Sequence, residues 1–143
     1  MIALTGESLA DAMLSCYNHF NRKVGIAFPS HKVMYDFAMS LQRQQREGLV
    51  PATHYKRGVD EIFFDTGSSI RLVNAGDPRN LYGLTFNSVL YDPDISEKEV
   101  LAHLESCERP YPAFGGGVKP TTEMEIDNQP LDDFLNGFSV IKN

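Results

Sequence analysis

The stretch Gly83-Leu84-Thr85-Phe86-Asn87-Ser88-Val89-Leu90-Tyr91-Asp92-Pro93-Asp94 decides how this chain is read. Residues 84–92 form an apolar, β-prone run, bounded by a glycine before it and a proline after it, and the run ends on an acid. Such a run reads as a buried strand. A carboxylate exposed at the end of a buried strand can hold the Mg²⁺ of a bound nucleotide. Asp92 is therefore the first candidate functional residue, and the rest of a phosphate site is to be sought upstream.

Working outward, the elements alternate. Leu9, Met13, Cys16, Tyr17 and Phe20 recur at helical spacing and predict a helix over 8–20, with Thr5 or Ser8 as its cap. Lys23 to Phe28 reads as a short buried strand closed by Pro29. Ser30 then caps a helix over 31–46, with Val33, Phe37 and Leu41 on one face and Arg43 to Arg46 at its end, where positive charge suits the helix dipole. Residues 47–59 read as a polar connection. Runs 61–65 and 69–73 flank Thr66-Gly67-Ser68 and predict a β-hairpin. Residues 74–80 read as a loop. Downstream of Asp92, Ser96 is expected to cap a third helix over 97–107. The fold class that follows is α/β: a small, three-layer-like domain of helices packed on a short mixed sheet. Pro110, Pro112, Gly115-Gly116-Gly117 and Pro120 mark a change of texture, so the chain divides into a domain over 1–107 and an irregular, acidic Pro/Gly-rich extension over 108–143.

Composition sets the wider limits. The chain has 143 residues, of which 42% are hydrophobic and 22% charged, as in an ordinary globular domain. No apolar run is long enough to span a membrane, and no signal-peptide pattern opens the chain, so a cytoplasmic location is expected. Cys16 and Cys107 form no metal-ligand pair and read as buried thiols. His19, His31, His54 and His103 are scattered and form no ligand pair at helical spacing. Net charge is −6, unevenly spread: residues 1–91 carry nine Lys/Arg against eight Asp/Glu, and residues 92–143 carry four against eleven. The acidic part argues against a broad phosphate-binding surface and fits docking to a basic partner, through Asp94, Glu97, Glu123, Glu125, Asp127, Asp132 and Asp133. Glu123, Glu125 and Asp127 alternate as on one side of a strand; they read as a solvated edge, and no metal site is expected. Arg43, Arg46, Lys56 and Arg57 make a small candidate patch for nucleic acid or a partner. Nothing in the sequence sets an oligomeric state.

Four stretches, in order, carry a family resemblance. They are Thr5-Gly6-Glu7-Ser8 before a helix; Lys23 to Phe28 with Pro29-Ser30 and the helix beyond; Phe64-Asp65-Thr66-Gly67-Ser68-Ser69-Ile70; and Asp77 to Phe86 leading to Tyr91-Asp92. With them the chain resembles the ATPase domain of phage terminase large subunits, and more loosely the RecA-like core of helicases, over about residues 5–105. The resemblance implies a nucleotide site at Gly6, Glu7, Ser8 and Asp92, with Ser8 and Asp92 beside Mg²⁺.

The departures from the family change what is expected of it. Where the family has the phosphate-loop lysine, this chain has Glu7; where it has a water-activating glutamate, Pro93; where it commonly has an arginine, Tyr82. Only five residues precede Gly6, so the first strand and most of the glycine loop are expected to be missing. A carboxylate facing polyphosphate costs on the order of 1–4 kcal/mol per close pair. The expectation is a non-enzymatic phage or prophage protein with a relic ATPase fold and no cofactor. It would act by protein binding, as a motor-subunit mimic or as an inhibitor of a host factor. The alternative is a partial ATPase or packaging component completed by a partner chain, binding Mg-nucleotide through Asp92.

Overall fold

The computed structural model describes residues 1–46, 54–56 and 60–109. In chain order the elements are β1 (Ile2–Ala3), α1 (Gly6–Asn18), β2 (Lys23–Phe28), α2 (His31–Arg46), β3 (His54–Lys56), β4 (Glu61–Phe63), β5 (Ser69–Asn74), a 3-10 turn (Pro78–Leu81), β6 (Ser88–Tyr91) and α3 (Lys98–Cys107). The six strands form one mixed sheet in the order β1-β6-β2-β5-β4-β3. The first four in that order are parallel, and β4 and β3 run antiparallel as a meander at one edge.

Strand β2 is the centre. It pairs with β5 from Lys23↔Ser69 to Phe28↔Asn74, and with β6 from Val24↔Ser88 to Ala27↔Tyr91. Its side chains alternate between two cores, as the pleat requires. Val24, Ile26 and Phe28 join Leu9, Met13, Cys16, Phe37 and Leu41 beneath α1 and α2. Ala27 faces the other way, with Val73, Leu81, Phe86, Val89, Ile95 and Leu104 under α3 and the 3-10 turn. The result is the expected α/β arrangement in three layers, with helices on both faces of the sheet.

Two local devices position the ends of these elements. Thr5 caps α1: its Oγ1 accepts from the Ser8 N–H at 3.0 Å while Ser8 Oγ accepts from the Thr5 N–H at 2.8 Å, a reciprocal capping box. At the other end of α1, the β4–β5 turn is stitched to the α1–β2 connection. Ser68 Oγ donates to the His19 carbonyl at 2.8 Å and accepts from the Arg22 N–H at 2.9 Å, and Thr66 Oγ1 donates to the Cys16 carbonyl. Gly67 is needed there, since φ is +80° and a Cβ would stand 2.7 Å from Asn21 Oδ1.

Several expectations are corrected. Helix α1 begins and ends two residues early, because the capping box starts it at Gly6; Phe20 therefore lies beyond it and is 37% exposed instead of joining its apolar face. The first strand is not missing: β1 pairs in parallel with β6, and the Leu4 N–H extends the pairing to the Tyr91 carbonyl. The connection over 47–59 contains edge strand β3, and the loop over 74–80 contains the start of a 3-10 turn capped by Asp77, whose Oδ1 accepts from the Arg79 N–H. Strand β4 stops at Phe63, because Phe64 already bonds across the hairpin turn to Ser68. Strand β6 starts at Ser88, not Leu84. Phe86 bridges to Glu108 instead, and Asn87 meets β2 through its N–H, which donates to the Lys23 carbonyl at 2.7 Å, and its side-chain Oδ1, which accepts from the Lys23 N–H in place of a backbone carbonyl. Ser96 does not cap α3; Glu97 stands at the N-cap with no side-chain bond. A turn over 92–95, closed by the Ile95 N–H on the Asp92 carbonyl, delays the helix by a residue. Both cysteines are free and buried, as expected.

Glycine at position 25 is set by packing. A Cβ there would lie 2.7 Å from the Phe86 ring. Gly25→Ala should therefore destabilise the fold by about 1–3 kcal/mol in urea unfolding, as overpacked cores do. Adding Phe86→Leu should recover part of that loss relative to Phe86→Leu alone; additive losses would show that the two positions do not share the contact.

Candidate functional site

Parallel strands put their functional residues at their C-terminal ends, where the chain turns into helices. Here that edge gathers the ends of β1, β6 and β2. Strand β6 lies between the other two, so Asp92 is flanked by the Leu4-Thr5 exit of β1 and the Phe28-Pro29 exit of β2. Its N–H donates to the Ala27 carbonyl at 2.9 Å. The sequence-predicted Gly6, Glu7, Ser8 and Asp92 thus come from the same edge of the sheet.

Their chemistry differs from that of a nucleotide site. Only Leu4 and Thr5 separate β1 from α1, so there is no loop whose successive N–H groups could wrap a phosphate. Gly6 is buried in the first turn of α1. The Ser8 hydroxyl is committed to the backbone: besides accepting from Thr5, it donates to the Ala3 carbonyl at 2.9 Å. Glu7 projects an exposed carboxylate from the first turn.

Asp92 is the other departure. Its side chain is not exposed on the edge but fully buried, at 0% exposure. Oδ1 accepts from the Asp94 N–H at 2.9 Å, making the turn that follows the strand. Oδ2 has no hydrogen-bond partner among the described residues. Burial pushes the Asp92 carboxyl above the usual carboxylate range; the bond from the Asp94 N–H opposes this, and the nearby Asp94 carboxylate adds to it. Among the described residues no three His, Cys, Asp or Glu side chains converge as a metal site. The residues present therefore do not fit a bound Mg²⁺-nucleotide: one oxygen ligand is tied to a turn, the other faces the interior, and the hydroxyl is capping a helix.

The other candidates are dispersed. Arg43 is exposed on α2, Arg46 is the last residue of that helix, and Lys56 is the last of β3, in register with Glu61. Arg57 lies outside the described residues. Asp94 and Glu97 are both exposed on the approach to α3 and form an acidic surface of two. Glu123, Glu125, Asp127, Asp132 and Asp133, like the glycine run at 115–117, lie outside the described residues.

One feature of this edge escaped the sequence reading. A groove of about 450 Å³ opens between α1 and the sheet, floored by Ile2, Ala12, Val24 and Leu90 and bordered by Glu7 and Asp11. The signal for its rim was available, since Glu7 and Asp11 stand four apart on α1, away from its apolar stripe. The signal for its floor was not, because it depends on β6 lying between β1 and β2.

Compared with protein-family models, curated proteins and solved structures, the chain matches none.

The buried acid gives a pH signature. A carboxyl whose pKa is raised on folding binds its proton more tightly in the native state. The contribution of this group to stability is therefore fully present below the unfolded value of about 3.9 and is lost as pH rises through the native value. Asp92→Asn keeps an oxygen for the Asp94 N–H and removes the buried charge. Relative to the wild type it should gain stability at pH 7, offset in part by the amide N–H₂ left where Oδ2 had no partner, as read by urea unfolding. The gain should shrink as pH falls towards 4; an equal gain at both pH values would show that Asp92 is not the titrating group.

Proposed function

We propose that this chain is a non-enzymatic, protein-binding domain, a relic of a terminase-like ATPase of phage or prophage origin that works in the cytoplasm of a host cell. The observation that carries the reading is the pair of commitments at the sheet edge. The Ser8 hydroxyl is bound into a helix cap, and the Asp92 carboxylate is buried. Both residues serve the fold where the resemblance would have them serve a metal. Glu7 adds charge repulsion to any polyphosphate brought there.

What remains for function is surface. Among the described residues no helix is long and apolar enough to cross a membrane. The exposed acids Asp94 and Glu97 sit together ahead of α3, and the apolar groove beside α1 is bordered by two more. Acidic surfaces of this kind suit a basic protein partner, either a motor subunit that the fold mimics or a host factor whose own ligand is nucleic acid. Of the basic set, Arg43 and Arg46 lie on α2 and Lys56 on edge strand β3, in register with Glu61, which gives little support to nucleic acid as the ligand itself.

A second reading, a partial ATPase completed by a partner chain, is favoured by one observation: Asp92 Oδ2 has no partner among the described residues. It requires the turn at Asp92–Asp94 to open so that the carboxylate leaves the core.

Phosphate release from ATP, measured with Mg²⁺ and with or without DNA, tests the enzymatic question. The purified chain should release no phosphate above the blank, and Asp92→Ala should change nothing. DNA-stimulated release that disappears in Asp92→Ala would overturn the non-enzymatic reading.

A further inference from the structure

We propose that the groove beside α1 is a docking site for a basic amphipathic helix of another protein, with an apolar stripe seated on Ile2, Ala12, Val24 and Leu90 and lysines or arginines meeting Glu7 and Asp11. This rests on the protein-binding reading above and names the surface and the chemistry of its partner.

Three observations converge. The groove has a volume of about 450 Å³, and its lining includes a large aliphatic residue left exposed, Ile2, at 60% exposure. Its polar groups are spoken for: the Thr5 and Ser8 hydroxyls belong to the capping box, and Ser15 and Ser88 have partners of their own. The hydroxyls offer no free donor to hold an anionic or neutral polar ligand; the acceptors left over are the two carboxylates, which call for a cation, and an apolar stripe needs no donor at all. The two charged residues of the lining are both acids. Glu7 and Asp11 stand one turn apart on α1, both exposed, with no ion pair to either among the described residues. Like charges at this spacing repel one another, and a cation bridging them would relieve that repulsion.

The geometry suits a helix. The α1 wall runs from Glu7 through Asp11 to Ser15, positions four apart along one side, a length of about 12 Å. Two to three turns of a partner helix match this length, with apolar residues at three- and four-residue spacing against the floor. The rim charges then set orientation and partner choice, and the apolar floor supplies affinity.

The test uses the full chain and two labelled helical peptides with the same leucine stripe, one flanked by lysines and one by glutamates, read by fluorescence anisotropy. The lysine peptide should bind, and binding should weaken as salt rises. Asp11→Lys should weaken it about tenfold, as should Ile2→Asp; both positions are exposed, and circular dichroism checks that each variant stays folded. Tyr82→Ala, on the α3 side of the sheet, should leave binding unchanged. Equal binding of the glutamate peptide, indifference to both variants, or no binding would overturn the proposal. A photo-crosslinker placed at Ile2 separates the remaining occupants. Capture of the lysine peptide supports the proposal; capture of residues 110–143 of the same chain, or of a second copy, overturns it. Failure here with no phosphate release would sink the groove and leave the non-enzymatic reading standing; hydrolysis would sink that reading instead.

Discussion

The parallel pairing of β2 with both β5 and β6 is the constraint on which the rest of the molecule depends. A strand hydrogen-bonded on both edges and covered on both faces must be apolar throughout, and from Val24 to Phe28 every residue is buried. Because β6 is the last strand among the described residues yet lies between the first two, β1 and β2 must leave a gap of one strand width. The first connection spans that gap with α1, and the last one fills it. Gly25 lets the Phe86 ring close over the same strand from the other side. The two cores and the sheet edge that carries Asp92 all follow from that one insertion.

The same insertion explains why the acid at the end of β6 is unlike a metal ligand. Strand ends at the middle of a parallel sheet are deep, and two exits flank this one. With a long phosphate loop between β1 and α1, the crevice would stay open to solvent and to a nucleotide. Here two residues make that connection, and the capping box pulls α1 down onto the edge. The crevice closes, and Asp92 is left inside with one oxygen bonded to a turn and one without a partner. A carboxyl kept in that condition holds its proton more tightly than a free one, so its ionisation works against the fold.

Much of this architecture was legible in the chain, for physical reasons that differ by element. The strand at Lys23–Phe28 and the helix at His31–Arg46 agree with the sequence reading because Pro29-Ser30 punctuates them and their apolar spacing is unambiguous. The hairpin was legible through Gly67, whose positive φ demands that residue. What failed were boundaries set by tertiary contacts. Nothing local says that Phe86 will leave the ladder to meet Gly25 and Glu108, or that the Asp92 side chain will start a turn and displace the cap from Ser96 to Glu97. At the candidate site, residue types were readable and exposure was not. Glu7, Ser8 and Asp92 were found as a set, but burial of the acid depends on how tightly α1 docks, and the groove floor on strands far apart in sequence.

The central claim is that this sheet edge holds its own fold together and does not hold a nucleotide. The most direct test is the melting temperature of the full chain with and without millimolar Mg²⁺ and ATP or ADP. A ligand at a hundred times its Kd would add about 2.7 kcal/mol to stability and be plain in the melt. The account predicts an unchanged melting temperature with either nucleotide. A saturable rise that requires Mg²⁺ and vanishes in Asp92→Ala would contradict it.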